Sequence, residues 1–483
     1  MLGTSCFSRA DQFVNIHMTA AANKPSFKLP LDFNQASRHS FCVLPWLHRF
    51  VNLGGEVQLC CTAEEHPHSY IRADSGKTIN LADGLGDEQI GATRHMRDIR
   101  KSMLWGKWPA ACERCRVTEE SGGSSRRCSE NLHFKHHIPW ILEHTDARGK
   151  VPVRIRSRDY RLGNLCNLRC RMCHPRASKL MLDEWNQVSR RSHRLKGKKA
   201  IAIRQPAWFQ VERFWDDFAA HIHDLEHLHF AGGEPLVTPQ VQKALEICVE
   251  MGAASHIELT FNTNLTRIPR QHRKLWPQFK TVNLACSVDA FGPLNDYIRH
   301  PAKWDTIGRN LDIVDREHET LNLGWATINT TVQIYNIFQL AELLEYAQQR
   351  FSFIQAMPHL VHLSLPDYFN VQFLPETLKM QASRRLKELR HRLESDGVAD
   401  GLNRIDGILA YMQNGSHSAH VMNEFKRVTA AYDRLRGESL DSLVPELAPL
   451  MQSGKAESPG HRVNRTINHG KWLASRLKKQ IFH

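Results

Sequence analysis

Apolar and polar positions change rhythm several times along this chain. Up to residue 38 they show no period, and the stretch reads as a loose leader. Strand-like runs from His48 to Leu53 and from Glu56 to Cys61 flank Gly54-Gly55, a hairpin signal. From Ile90 to Trp108 the apolar residues Met96, Ile99, Met103 and Leu104 recur at helical spacing. Glu119 to Arg127 is rich in glycine and serine and reads as a linker. From Val151 strands and helices alternate, with strand candidates at 153–158, 226–231, 256–261, 282–288, 324–333 and 358–365. Between two of them Val241, Ala244, Leu245, Cys248 and Val249 form a stripe that faces a core. This alternation predicts an α/β fold of parallel βα units. From Pro375 the pattern turns helical and highly charged, and the last thirty residues are polar and basic. The expected organisation is a leader (1–38), a small cysteine-bearing domain (39–137), a βα domain (150–375) and a helical extension with a basic tail (376–483).

Composition narrows the setting. The chain has 483 residues, 41% of them hydrophobic and 24% charged, enough for a sizeable core in a soluble protein. No apolar run approaches a membrane span, and no basic start leads into an apolar stretch. Twelve cysteines without an export signal point to a reducing, cytoplasmic setting and to metal ligation rather than disulfides. The net charge of +14 biases the chain toward anionic partners: nucleic acid, a phosphorylated substrate or an acidic peptide. Arg190 to Lys199 and Arg384 to Arg392 read as solvated helix faces, because no aromatics are interleaved with their charges.

The chemistry concentrates in Cys166-Asn-Leu-Arg-Cys170-Arg-Met-Cys173, a loop expected after the first βα strand. Three thiolates so close in sequence can converge on one soft metal centre. A structural zinc site takes four protein ligands, and no fourth cysteine follows nearby. A 4Fe–4S cluster with one iron left open suits three. A second group of sulfurs comes from Cys42, Cys60 or Cys61, and the pair Cys112-Glu-Arg-Cys115. The hairpin brings Cys42 toward Cys60, and both iron–sulfur and zinc fit four thiolates.

With its C-x3-C-x2-C spacing the chain resembles the radical S-adenosylmethionine (radical SAM) superfamily. Ala231-Gly232-Gly233-Glu234-Pro235, after the second strand candidate, resembles that family's G-G-E-P loop. Asn262-Thr263-Asn264 resembles its T-N-G stretch and Ser287-Val-Asp289 its S-x-D stretch, each after a strand. The resemblance implies a partial (β/α)6 TIM-like barrel with its functional loops at the C-terminal ends of the strands. It implies that Cys166, Cys170 and Cys173 hold the SAM-binding cluster. Met172, where the family usually has an aromatic residue, would cover the adenine. Gly232, Gly233, Glu234 and Pro235 would hold the SAM amino group. Asn262, Asn264, Ser287 and Asp289 would approach its ribose and methionyl parts, and Arg299 would pair with its carboxylate. Gln333 and Asn336 would end the fifth strand near the pocket.

F-C-x-L-P-W, then G-x-V-x-x-C-C, then C-x2-C resembles an N-terminal twitch domain, a shortened SPASM domain that carries an auxiliary 4Fe–4S cluster. Its implied ligands are Cys42, Cys60, Cys112 and Cys115, with zinc as the alternative. The implied function is reductive cleavage of SAM to a 5′-deoxyadenosyl radical that abstracts hydrogen from a substrate. Expected partners are an electron donor such as flavodoxin or ferredoxin and a peptide or protein substrate. Oxidation of a sugar or nucleoside-like small molecule is an alternative within the enzyme class. A zinc-containing nucleic-acid-binding protein is the alternative outside it.

Overall fold

The fold is that of a computed structural model that describes residues 38–452 except 64–65, 121–122, 192–207, 356 and 398–400. The leader, the basic tail and much of Arg190 to Lys199 therefore lie outside the described residues.

Eight strands form one sheet in the order β2-β1-β3-β4-β5-β6-β7-β8. They are β1 (His48–Val51), β2 (Val57–Gln58), β3 (Ser157–Tyr160), β4 (His227–Phe230), β5 (Glu258–Thr263), β6 (Thr281–Ser287), β7 (Leu323–Val332) and β8 (His359–His362). From β1 through β3 to β8 every neighbouring pair is parallel, and only β2 runs antiparallel to its partner. The six βα strands appear where alternation predicted them, with shifted ends. The first starts later than expected, at Ser157. The expected hairpin forms, but it is not confined to a separate domain. Its first strand lies beside β3 in parallel and extends the barrel sheet by two strands. The single helix expected over 90–108 is two, Asp87–Gly91 and Arg94–Leu104. Thr93 separates them as an N-cap, its hydroxyl accepting from the Met96 amide at 3.3 Å.

Successive side chains along a strand point to opposite faces, and here the two faces differ in chemistry. Leu228 and Phe230, Leu259 and Phe261, Val282, Leu284 and Cys286, and Ala326 and Ile328 pack outward. There they meet Val241, Ala244, Leu245 and Cys248 of the helix Pro239–Glu250 and Ile307, Leu311 and Val314 of the helix Trp304–Arg316. Each fully buried large apolar side chain contributes about 1.5–3 kcal/mol. The inward face carries Ser157, His227, His229, Thr260, Asn262, Asn283 and Asn329, each in a cross-strand hydrogen bond with another of them or with His48, Glu258 or His359. A closed βα barrel fills its interior with branched apolar residues. Here the inward face is polar instead.

Two further cores flank the barrel. Phe41, Leu44, Trp46, Val57, Met96 and Ile141 belong to an N-terminal core. The helices Glu376–Ser395, Leu402–Gln413 and Ala419–Arg436 share a second core with Tyr297, Val332, Tyr335 and Phe369, which lie near the C-terminal ends of the last barrel strands. The helical C-terminal region thus packs against the end of the barrel where the cysteine loop lies.

Candidate functional site

The loop after β3 carries Cys166, Cys170 and Cys173, and the chain around it fixes its course. The Arg169 and Arg171 amides donate to the His300 and Ile298 carbonyls at 2.6 and 2.8 Å. Ser178 Oγ closes the loop onto the Leu168 carbonyl at 2.8 Å. The loop after β4 packs against its start. Gly233 N donates to Gly163 O at 3.2 Å and Glu234 N to Leu165 O at 2.7 Å. Gly232 has φ +118°, and a Cβ on Gly233 would lie 2.2 Å from the Leu165 carbonyl oxygen. Glycine at 233 is therefore required by the closeness of two backbones rather than by turn geometry.

Glu234 is 2% exposed. One of its oxygens accepts from the Leu236 amide (3.0 Å) and Thr263 Oγ1 (2.7 Å), the other from the Asn264 amide (2.6 Å). A carboxylate has roughly four acceptor sites, so about one is left for a ligand. Burial pushes this carboxyl above its ordinary range despite the three donors. Pro235 opens the 3-10 turn that follows. Asn264 turns its amide toward Cys166 Sγ (3.9 Å) and donates to Asn167 Oδ1 (2.9 Å). Asn262 Oδ1 bonds His229 Nε2 at 3.0 Å on the inward face. Ser287 ends β6, in register with Asn329. Asp289 is fully buried; Oδ1 accepts the Thr331 amide at 2.8 Å and Oδ2 pairs with Arg299 Nε at 2.8 Å. Arg299 in turn lies near Cys170 and Cys173, whose thiol pKa values its positive charge lowers. Met172 packs beside Leu168, Cys170 and Ala302. Asn336 donates to the Asp289 carbonyl at 2.8 Å and holds the β7 turn, while Gln333 keeps a buried Oε1 without a hydrogen bond.

Burial raises all three thiols, Cys166 to about 12. Neutral thiols must lose protons to bind metal, so ligation here releases protons.

The second set of sulfurs also converges. Cys42, Cys60, Cys112 and Cys115 line one cavity together with Arg114, Arg126 and Arg127. The charges of Arg126 and Arg127, which act on Cys60 and Cys112, suit an anionic metal–thiolate centre. Cys61 is not part of the lining; it contacts the Arg126 guanidinium instead. Burial raises Cys42 and Cys112 strongly and Cys60 to about 12.

Residues 160–346 match the family described as the Radical SAM superfamily. That stretch is a radical SAM domain. That domain supports enzyme activity, and a 4Fe–4S cluster and SAM are its family's cofactors. Solved structures resemble it remotely. SuiB of Streptococcus suis bound to S-adenosylmethionine is 16% identical over 68% of each chain, with a TM-score of 0.31. Native anSMEcpe with bound AdoMet is 13% identical over 50% of this chain and 62% of its own, with a TM-score of 0.33. SuiB bound to precursor peptide SuiA is 14% identical over 68% of each chain, with a TM-score of 0.29. At these scores the likenesses add no weight to the radical SAM reading. No curated protein matches the chain.

The radical SAM domain has a support that sequence reasoning missed. Arg171, inside the cysteine loop, is fully buried. It donates to Asp433 (2.8 Å) and Glu438 (2.7 Å) at the end of the helix Ala419–Arg436 and lies 3.5 Å over the Tyr297 ring. Arg436 of that helix bonds Glu184 (2.7 Å) and the Arg169 carbonyl (2.6 Å). His300 reaches Glu438 at 2.6 Å. The C-terminal region therefore grips the loop that carries the cysteines. Two adjacent clues were legible: a second arginine between the last two cysteines, and a cluster of acids and arginines at 433–438.

Proposed function

We propose that Cys166, Cys170 and Cys173 hold the 4Fe–4S cluster of this radical SAM enzyme and that Gly232, Gly233, Glu234, Pro235, Asn262, Asn264, Ser287, Asp289, Arg299 and Met172 form its SAM pocket. We further propose that Cys42, Cys60, Cys112 and Cys115 hold a second 4Fe–4S cluster. When bound, the first cluster and SAM supply reductive cleavage of SAM to methionine and a 5′-deoxyadenosyl radical that takes a hydrogen atom from substrate. The second would supply a place for the electron that an oxidised substrate gives up; zinc, without redox chemistry, does not.

One observation carries the reading: the three-cysteine loop and the G-G-E-P loop touch through their backbones at the C-terminal ends of adjacent parallel strands. The side chains around that contact have separable tasks. Glu234 fixes Thr263 and Asn264, and Asn264 offers an amide beside Cys166. Asp289 aims Arg299, whose cation suits a carboxylate or the charge of a thiolate cluster.

The substrate reading is a peptide or protein side chain, in keeping with the twitch-like cysteine pattern and a net charge of +14 that suits an acidic peptide. The same charge suits an acidic electron donor such as flavodoxin or ferredoxin. One feature favours a second reading, oxidation of a sugar or nucleoside-like molecule. The inward face of the strands carries Asp159, His227, His229, Asn262, Asn283 and Asn329, a dense set of hydrogen-bonding groups. No described helix is long and apolar enough to cross a membrane.

The test is direct. The anaerobically purified, reduced protein should turn SAM into 5′-deoxyadenosine and methionine. Replacing Cys166, Cys170 and Cys173 together by alanine should abolish both products. Equal turnover in that variant would end the assignment of these cysteines.

A further inference from the structure

At the end of the barrel opposite the cysteine loop, three ligand-type side chains meet from two parts of the chain. Glu226 immediately precedes β4, at the N-terminal ends of the strands. His136 and His137 come from a short 3-10 turn, Lys135–His137, in the N-terminal region. His136 Nε2 lies 3.2 Å from Glu226 Oε2 and His137 Nε2 2.8 Å from Oε1. All three ligand atoms lie within 4.8 Å of one another.

We propose that His136, His137 and Glu226 bind a divalent transition-metal ion of the zinc class and that this ion ties the N-terminal region to the floor of the barrel. Two imidazoles and a carboxylate are a donor set zinc accepts, with a further position left for water. Bonds of about 2.0–2.1 Å around a tetrahedral ion space the ligand atoms by roughly 3.3–3.4 Å. The two imidazole–carboxylate spacings, each to a different Glu226 oxygen, lie within about half an ångström of that value. The two rings are 4.1 Å apart between centroids. His136 is 59% exposed, which gives an ion an entry path.

The surroundings supply an outer partner. Arg156 is anchored by its Nη1 bond to the Asp224 carbonyl at 2.8 Å. Its Nε is buried without a hydrogen bond and stands 3.8 Å from Glu226 Oε1. An arginine so placed orients a metal-bound carboxylate, as outer partners of metal ligands commonly do. The site is separate from both cysteine sets, so it adds a metal without entering the SAM chemistry. Its position, where barrels carry stabilising rather than catalytic groups, makes it a clasp between domains.

The experiment is equilibrium dialysis of zinc against the full chain after its cysteines have been filled by iron and sulfide. One zinc per chain beyond the iron is expected, and zinc should raise the melting temperature. His137→Ala and Glu226→Gln should each weaken zinc binding by about 100-fold or more and remove the melting shift. Both variants should retain their iron and their SAM cleavage, which shows that they fold. Zinc binding equal to wild type in both variants would overturn the proposal. So would the absence of any zinc binding by the wild type, which would leave a plain histidine–glutamate hydrogen-bonded cluster.

Discussion

The two cysteine sets are built in opposite ways. The barrel set occupies eight consecutive residues, Cys166 to Cys173, and its geometry is imposed from outside: by the G-G-E-P loop, by Asn264 and by the arginine grip of the C-terminal helix. The N-terminal set spans Cys42 to Cys115 and draws its ligands from three separate segments that meet only when the N-terminal core has packed. The first is a local motif on a braced loop. The second is a tertiary assembly whose metal would itself help to hold the fold. Metal loss should therefore injure the two regions differently.

Replacing Cys112 and Cys115 together by alanine sharpens that contrast most. Binding energy at a site absent from the unfolded chain becomes folding energy, several kcal/mol in the smallest cases. The variant should lose protease resistance first in the N-terminal region, as mapped by limited proteolysis. Replacing Cys166, Cys170 and Cys173 by alanine should leave the proteolysis pattern near that of the wild type. Equal N-terminal fragility in both variants would break the comparison.

Arg171→Ala tests the external brace. It leaves Asp433 and Glu438 facing a buried space without their cation, a loss of about 3–5 kcal/mol. Urea unfolding should show it, and iron retention should fall although no ligand is altered. Full iron and wild-type stability would mean that the C-terminal grip is incidental.

Gly233→Ala probes the backbone contact between the two loops. A Cβ 2.2 Å from the Leu165 carbonyl oxygen cannot be accommodated by a rotamer change. About 3 kcal/mol of overpacking is expected, read as weaker SAM binding with near-normal secondary structure by circular dichroism.

The smallest effect concerns pH, at the seam between the regions. Asp87 joins Arg49 of β1 to Arg158 of β3, each at 2.8 Å. Burial alone would raise its carboxyl, but Arg158 and Arg49 outweigh it and hold it down, from 3.8 to about 2. A depressed carboxyl contributes stability that is complete above about pH 4 and lost as pH falls through about 2. The contribution is about 2 kcal/mol. Asp87→Asn should therefore flatten the acid limb of a stability-versus-pH curve, and an unchanged limb would remove Asp87 from the account.

The βα alternation, the cysteine loop and the G-G-E-P loop were legible because each is a local pattern of a few residues. The polar inward face was half legible: His227 and His229 alternate with Leu228 and Phe230, which marks two faces without saying which one turns inward. The attachment of β1 to β3 was hidden because a parallel partner more than a hundred residues away leaves no local signature. The same holds for Arg171 and its partners at 433 and 438. Glu234 shows a different limit. Its loop was recognisable, but only the structure shows three donors already on its carboxylate.

Metal content resolved by site decides whether the two cysteine sets hold one cluster or two. The reconstituted wild type should hold about eight irons with matching sulfide, and the Cys112→Ala/Cys115→Ala variant about four. In the reduced variant, electron paramagnetic resonance should show one cluster whose signal shifts when SAM is added. About four irons in the wild type, with a zinc that disappears when Cys112 and Cys115 are replaced, would contradict the second cluster. A remaining signal indifferent to SAM would contradict the first.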